Sequence, residues 1–396
     1  MIDFMIILAI ETSCDETAVA IVEGMGDIYE SNMHIRSNIV HSQIDVHAPY
    51  GGVYPSLAKR EHAKKLVPVC LRALDDAGYG LSETTLADAP EDIQEDIARI
   101  LEREPELYAA MLEAVPLARP DIDAIAVTEG PGLEPALWAG INFARALATL
   151  WGLPLVPINH MEGHILSGFS KGNTFPLGSR TISFPTLALL VSGGHTELVL
   201  MHDLFSSTFI GGTRDDAVGE AFDKVARVLD LPYPGGPAIS KLADEAPPRA
   251  DDDITFPRPM LNSGDYDFSF SGIKTSVLYA AKKCGTLSAD MKRVFAREFQ
   301  DAVIEVLIHK TIAAAEEYGA QAIVLGGGVS ANEALRGACV KAVESELPDI
   351  SLHLPDKSAT TDNAAMIGLA GYFRFLRGDT VEPEHIVARG NLSLEG

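Results

Sequence analysis

Two stretches of this chain share one design. Residues 6–24, IILAIETSCDETAVAIVEG, and residues 187–201, LALLVSGGHTELVLM, each run from an apolar strand through a short polar turn into a second apolar strand. Apolar runs of this length bounded by turn residues read as strands buried on both faces. The same hairpin repeated about half a chain apart points to an ancient duplication and two related lobes. At 396 residues the chain is also too long for one compact core. Between and after the hairpins, strands alternate with helices, as in EGPGLEPALWAGINFARALATLWGLPLVPINH (129–160), which places the chain in the α/β class. A third element, AIVLGGGVSANEALRGACVKAV (322–343), reads as a strand, a triple-glycine turn and a helix capped near Ser330 or Asn332.

Residues 81–118 stand apart. They hold ten acidic residues, with Leu, Ile and Met at helical spacing, and read as an acidic helical insertion, a solvated hairpin on the surface of the first lobe. The formal net charge of −25 argues against a broad nucleic-acid surface, because displacing phosphate counterions needs lysine and arginine. Any RNA contact must then rest on a local basic patch or on a partner. The four cysteines, Cys14, Cys70, Cys284 and Cys339, form no C-x-x-C pair. Neither a disulfide framework nor a cysteine zinc site is suggested, and a reducing cytoplasmic compartment fits. The N-terminal apolar run has no leading positive charge and reaches Glu11 early, so a strand is expected there and not a signal peptide; no stretch is long enough to span a membrane.

Three groups of residues carry chemistry. Glycine turns after strands, SGGHT (192–196) and GGG (326–328), let backbone N–H groups approach phosphate because no Cβ intervenes. Together they suggest a nucleotide cleft. No G-x-x-x-x-G-K-[ST] occurs and EGPGLEP lacks the G-x-G-x-x-G spacing, which argues against P-loop and Rossmann sites. Asp223, followed by Gly235 and Gly236, offers a carboxylate for ribose hydroxyls and a flat glycine pair, or else merely a solvated helix face. NHMEGH (159–164) places His160 and His164 on one helix face, and Asp362 supplies either an N-cap or a third ligand. Two histidines and a carboxylate suit Fe²⁺, Zn²⁺ or Mn²⁺ with positions left open. A metallopeptidase would need the glutamate directly after the first histidine; Glu162 is one place later, about 100° further round the helix.

Taken together, IETSCDETAVAI, HSQIDVHAPYGGVYPSLAKREH, NHMEGH, LVSGGHTEL, GEAFDKVARVLDLPYPGGP, FSFSGIKT, GGGVSANEALR and TDNAAMIG, in this order, resemble the bacterial TsaD family, tRNA N6-adenosine threonylcarbamoyltransferases once described as O-sialoglycoprotein endopeptidases. The resemblance covers nearly all of the chain apart from 81–118. It implies the actin-like ATPase (ASKHA) fold, two duplicated α/β lobes with a central cleft: a first lobe over 1–183, a second over 184–361 carrying the nucleotide loops, and a helical segment 362–396 returning to the first. The implied reaction moves a threonylcarbamoyl group from threonylcarbamoyl-AMP to N6 of the adenosine 3′-adjacent to the anticodon, in tRNAs reading codons that begin with A. Carried over by motif, His160, His164 and Asp362 are the metal ligands, with Fe²⁺ expected first. Leu190, Val191, Ser192, Gly193, Gly194, Asp223, Gly236, Ser240 and Asn332 bind the adenylate, and Asp15 and Glu16 are acids of the active centre. A TsaB-like paralogue and a TsaE-like ATPase are the implied partners, and Lys59, Arg60, Lys64 and Lys65 are candidate tRNA contacts. Departures from the pattern are Pro135, where glycine is usual, and Ser56, where an acid is usual; Leu190 stands where the archaeal and eukaryotic branch has a tyrosine. An ATP-binding or ATP-hydrolysing module of the same fold is the alternative, and a metalloendopeptidase comes third.

Overall fold

The computed structural model describes residues 4–394 apart from 81, 171, 179 and 249–253. Its first sheet is built from β1 (Met5–Glu11), β2 (Glu16–Gly26), β3 (Ser31–Ser42), β4 (Ala124–Gly130), β5 (Leu155–Asn159) and β6 (Thr174–Leu177) in the order β5-β4-β1-β2-β3-β6. Its second contains β7 (Thr186–Val191), β8 (Thr196–Met201), β9 (Ser207–Gly212), β10 (Ala322–Gly326) and β11 (Ser351–His353) in the order β11-β10-β7-β8-β9. In both, the opening hairpin and its third strand are antiparallel, while the two later strands lie parallel to the first. Five strands therefore repeat one for one, and β6 is an addition at the edge. The two sheets have the duplicated arrangement of the actin-like ATPase fold.

The buried runs explain why each sheet is covered on both faces. Alternate residues of a strand point to opposite sides. Leu8 and Ile10 of β1 pack with α2 (Pro55–Asp76) and α5 (Glu134–Trp151), while Ile7 and Ala9 pack with α12 (Ala364–Arg377). Pro135 lies in the first turn of α5, where its missing N–H costs no helical bond. Gly368 and Gly371 let α12 close on the sheet: a Cβ on either would lie 2.5 Å from Val22 or Ala126. In the second sheet, Leu187, Leu189 and Val191 face the core formed with α7 (Val218–Val228), α8 (Gly235–Asp244), α9 (Ser271–Cys284), α10 (Ala289–Glu317) and α11 (Glu333–Glu346). Ala188 and Leu190 face the other way, onto Met161 and Ile165 of α6 (His160–Ser167). Helix α6 also packs on α12, so the histidine-bearing helix is held between the two sheets.

The acidic insertion differs from its expected form. It folds as α3 (Glu91–Ile100) and α4 (Pro105–Ala114), preceded by a short turn capped by Thr85, and it is not a solvated hairpin. Leu86, Ile97, Leu101, Leu107, Met111 and Val115 are buried in the first-lobe core, and the Trp151 indole donates to Pro116 O at 3.0 Å. Apolar residues recur every fourth position, 97 to 101 and 107 to 111 to 115, forming one stripe that the core accepts, while the acids take the other face. A four-residue helix, α1 (Ile44–His47), opens the loop that joins β3 to α2.

Candidate metal and nucleotide site

Helix α6 starts abruptly at the end of β5 because Asn159 caps it, its side chain accepting from Met161 N at 2.9 Å. This puts His160 in the first turn and His164 one turn on, with both rings buried and their centroids 4.6 Å apart. Gly163 faces α12, so the helix sits close to the segment that enters α12. There Asn363, and not Asp362, is the N-cap, accepting from Met366 N at 3.2 Å. Asp362 is left to point at the histidines. Its Oδ1 lies 3.1 Å from His164 Nε2 and 3.4 Å from His160 Nε2. One ligand atom from each of the three residues falls within 4.8 Å of the others. Two imidazole nitrogens and one carboxylate oxygen converging in this way fit a divalent cation.

Glu11, the last residue of β1, completes the arrangement and was not singled out in the sequence. Fully buried, it accepts from Thr128 Oγ1 at 2.6 Å, from Ser13 N, and from His160 Nδ1 at 2.9 Å. A carboxylate behind the imidazole holds the proton on Nδ1, so Nε2, facing Asp362, is the nitrogen that would give up its proton to ligate a cation. Burial opposes charge on both partners, yet their mutual attraction prevails: Glu11 is lowered, and His160 is lifted well above the ordinary histidine value by Glu11 and Asp362. The signal that could have found Glu11 is its place as an acid ending an otherwise apolar strand.

Glu162 takes no part in this cluster. It is buried against Arg374, with guanidinium contacts of 3.0 to 3.1 Å, so the glutamate a metallopeptidase would use is committed to α12. Asp15 ends the β1–β2 turn and Glu16 opens β2, beside the triad. Burial first, then the Asp362 and Asp15 charges, push Glu16 up to about 9. His195, at the end of the β7–β8 turn, is held down at about 4 by burial and by the charges of His160 and His164.

The expected adenylate residues gather on the second lobe. Leu190 and Val191 have fully buried side chains, so only their backbone can face a ligand. Ser192 braces its own turn, its Oγ accepting from His195 N at 3.0 Å and Gly194 N at 3.3 Å. Gly193, Gly194 and Gly236 have open space where a Cβ would stand. Asp223 accepts from Gly235 N at 2.7 Å and so ties α7 to the start of α8. Asn332 caps α11 through Leu335 N at 3.0 Å, while its Nδ2 donates to Ser240 Oγ at 2.7 Å and Gln300 Oε1 at 2.9 Å. Gln300, buried in the middle of α10, is a member of this network that periodicity could not distinguish from core.

Comparison with known proteins decides the family. The TsaD model, described as tRNA N6-adenosine threonylcarbamoyltransferase, matches residues 34–86 and 94–369. This chain belongs to the TsaD family. The unmatched residues 87–93 fall inside the acidic insertion. A Moorella thermoacetica protein named tRNA N6-adenosine threonylcarbamoyltransferase is 43% identical over 374 residues, covering 94% of this chain and 93% of its own. An Anaeromyxobacter dehalogenans protein of the same name is 40% identical, covering 96% of each. Among solved structures, full-length HypF in its phosphate- and nucleotide-bound form aligns with a TM-score of 0.48 at 14% identity, over 70% of this chain and 49% of its own. Among the described residues, no helix is long and apolar enough to cross a membrane.

Proposed function

We propose that this chain transfers the threonylcarbamoyl group from threonylcarbamoyl-AMP to N6 of the adenosine 3′-adjacent to the anticodon, in tRNAs reading codons that begin with A. The observation that carries the reading is the His160–His164–Asp362 triad flanked by the glycine turns, in a chain 40–43% identical to proteins named for this activity. The donor is a mixed carbamic–phosphoric anhydride and already activated, so no covalent enzyme intermediate is needed. N6 attacks the carbamoyl carbon, the carbon–oxygen bond to phosphate breaks, and AMP departs with the electron pair.

His160, His164 and Asp362 would hold one divalent cation, with Fe²⁺ favoured and Zn²⁺ or Mn²⁺ compatible. Bound there, it would supply Lewis acidity toward an oxygen of the transferred group. The backbone of Ser192 to Gly194 approaches the phosphate; Ser192 N donates to His195 O at 2.8 Å and Gly194 N to Ser192 Oγ at 3.3 Å, so Gly193 N–H is the donor that offsets the charge on departing AMP. Asp223 keeps one carboxylate oxygen on Gly235 N and offers the other to a ribose hydroxyl, while Gly236 gives the nucleoside a flat floor. Asn332 spends both amide hydrogens on Ser240 and Gln300 and one lone pair of its oxygen on Leu335 N; it holds Ser240 in place and offers the remaining lone pair to the adenylate. Asp15 takes the proton from the attacking amine; Glu16, pushed up to about 9, keeps its own proton at neutral pH and stands beside it as the second acid of the turn.

The lobe division at 183/184, with 362–396 completing the first lobe, belongs to the same proposal and is supported by α12 lying on the first sheet. So do a cytoplasmic location and the TsaB-like and TsaE-like partners. Two of the four candidate tRNA cations are already paired, Lys59 with Glu104 at 2.6 Å and Lys64 with Glu61 at 2.7 Å, which favours basic surface supplied by a partner.

The test is nucleoside mass spectrometry on unmodified cognate tRNA, incubated with threonylcarbamoyl-AMP, the partners and this protein or its His160→Ala variant. Threonylcarbamoyladenosine is expected with the parent and lost with the variant. No product from a parent shown to bind metal and adenylate would remove the transferase reading in favour of a nucleotide-binding module. Asp15→Asn combined with Glu16→Gln should lower turnover about 10²-fold or more; unchanged turnover would clear both residues of the proton transfer.

A further inference from the structure

The turn that carries Asp15 and Glu16 is held by residues that the site described above leaves without a role. Its first half rests on α5: Thr12 Oγ1 donates to Ala136 O at 3.0 Å, and Leu133 N donates to Ser13 O at 2.8 Å. Its second half rests on the end of β3, where Ser42 Oγ donates to Glu16 Oε1 at 3.2 Å, and on the 43–62 segment. Gln43 N donates to Asp15 O at 2.9 Å, and His62 Nε2 lies 3.0 Å from Cys14 O. Gln43, His47 and His62 are each fully buried.

The hydrogen bonds run in one direction. Cys14 O can only accept, so His62 carries its proton on Nε2 and its Nδ1 accepts, from Thr17 Oγ1 at 2.8 Å and Gln43 Nε2 at 3.2 Å. Gln43 Oε1 then accepts from His47 Nε2 at 3.2 Å, and His47 Nδ1 accepts from Tyr54 N at 3.4 Å. The His62 imidazole is used as a neutral ring, and burial, which holds it at about 4, agrees with this. At the far end of the same loop, Arg227 Nη2 of α7 donates to Gly51 O at 2.6 Å. Gly51 has φ of +69°, and a Cβ there would stand 3.1 Å from the guanidinium, so a side chain would displace the contact. Arg227 lies one helical turn beyond Asp223. The loop thus touches the acid-bearing turn of the first lobe at one end and the nucleotide helix of the second at the other.

We infer that the Gln43–His47–His62 network and the Arg227–Gly51 contact form a clasp that positions the Cys14–Glu16 turn and couples it to α7 of the second lobe. The residues are positioning residues, and the inference rests on the transferase reading above. Loss of the His62 bonds would let the turn drift, and misplacement of an acid by about 1 Å can cost on the order of 10²-fold in rate.

The experiment compares His62→Leu, His62→Gln and Arg227→Ala with the parent, in turnover with threonylcarbamoyl-AMP and tRNA and in hydrogen–deuterium exchange of the free protein. His62→Leu should lower kcat about tenfold or more with KM for the adenylate and metal content unchanged. His62→Gln, which keeps one donor and one acceptor, should recover most of it. Arg227→Ala removes a surface contact without opening the core; it should raise exchange in both 43–54 and 12–17. Parental kcat in His62→Leu, or a glutamine variant no better than leucine, would overturn the positioning role. Unchanged exchange at 12–17 in Arg227→Ala would overturn the coupling, and this arm needs no turnover. A parent without product would instead remove the transferase reading, leaving the exchange arm to judge the clasp.

Discussion

Single residues in this protein take their roles from what stands behind them. His160 is one of two histidines at helical spacing, but the buried Glu11 holds its Nδ1 and so turns Nε2 toward Asp362. Glu162 shows the opposite outcome: in the same motif, it is locked to Arg374 on the far side of α6. Removing one partner of a buried pair leaves an uncompensated charge, so Arg374→Ala should destabilise the protein by about 3 kcal/mol. Urea unfolding would measure this, and Glu162→Gln added to the same variant should restore part of the loss. His62 makes a prediction about pH. Burial lowers it from 6.5 to about 4, so between these values the unfolded chain binds a proton that the folded chain refuses. Stability is full above pH 6.5 and falls as pH drops through this window, by about 3 kcal/mol in all. Denaturation midpoints of His62→Gln should show a shallower decline over that range than the parent's.

At the scale of elements, the acidic insertion is the informative case. Its charge made α3 and α4 look like a solvated appendage, yet Ile97, Leu107 and Met111 are fully buried in the first-lobe core. Charge counts describe the outer face of a helix and are blind to a narrow apolar stripe on the inner one. Met111→Ala should accordingly cost about 2–5 kcal/mol, read by thermal unfolding; a change under about 0.5 kcal/mol is what a surface position would give. Helix α6 was legible as a histidine-bearing helix, and its caps follow from local chemistry. The switch of capping role from Asp362 to Asn363 did not follow, because both residues cap helices well and only the approach of α6 decides which is free.

For the whole molecule, net charge and shape bear on RNA together. At −25, with Lys59 and Lys64 already paired to acids, the isolated chain should bind cognate tRNA weakly at physiological salt and more tightly as salt is lowered. Adding the partners should restore binding at physiological salt, which a filter or anisotropy titration would show. Tight binding by the chain alone would mean that its remaining cations suffice.

The sequence by itself determined the duplicated hairpins, the alternation of strands and helices, the glycine turns and the spacing of His160 and His164. Each is a local pattern, set by the two-residue period of a strand, the 3.6-residue period of a helix, or a turn that only glycine relieves. Tertiary structure alone decided which distant groups meet: Asp362 with a histidine 198 residues away, Glu11 behind His160 across 149 residues, Gln300 with Asn332 and Ser240, and Arg227 with Gly51 across 176 residues. Such pairings carry no periodic trace. They depend on how two covered sheets and the helix between them settle, and a buried polar group then has to bond to whatever that packing places within reach.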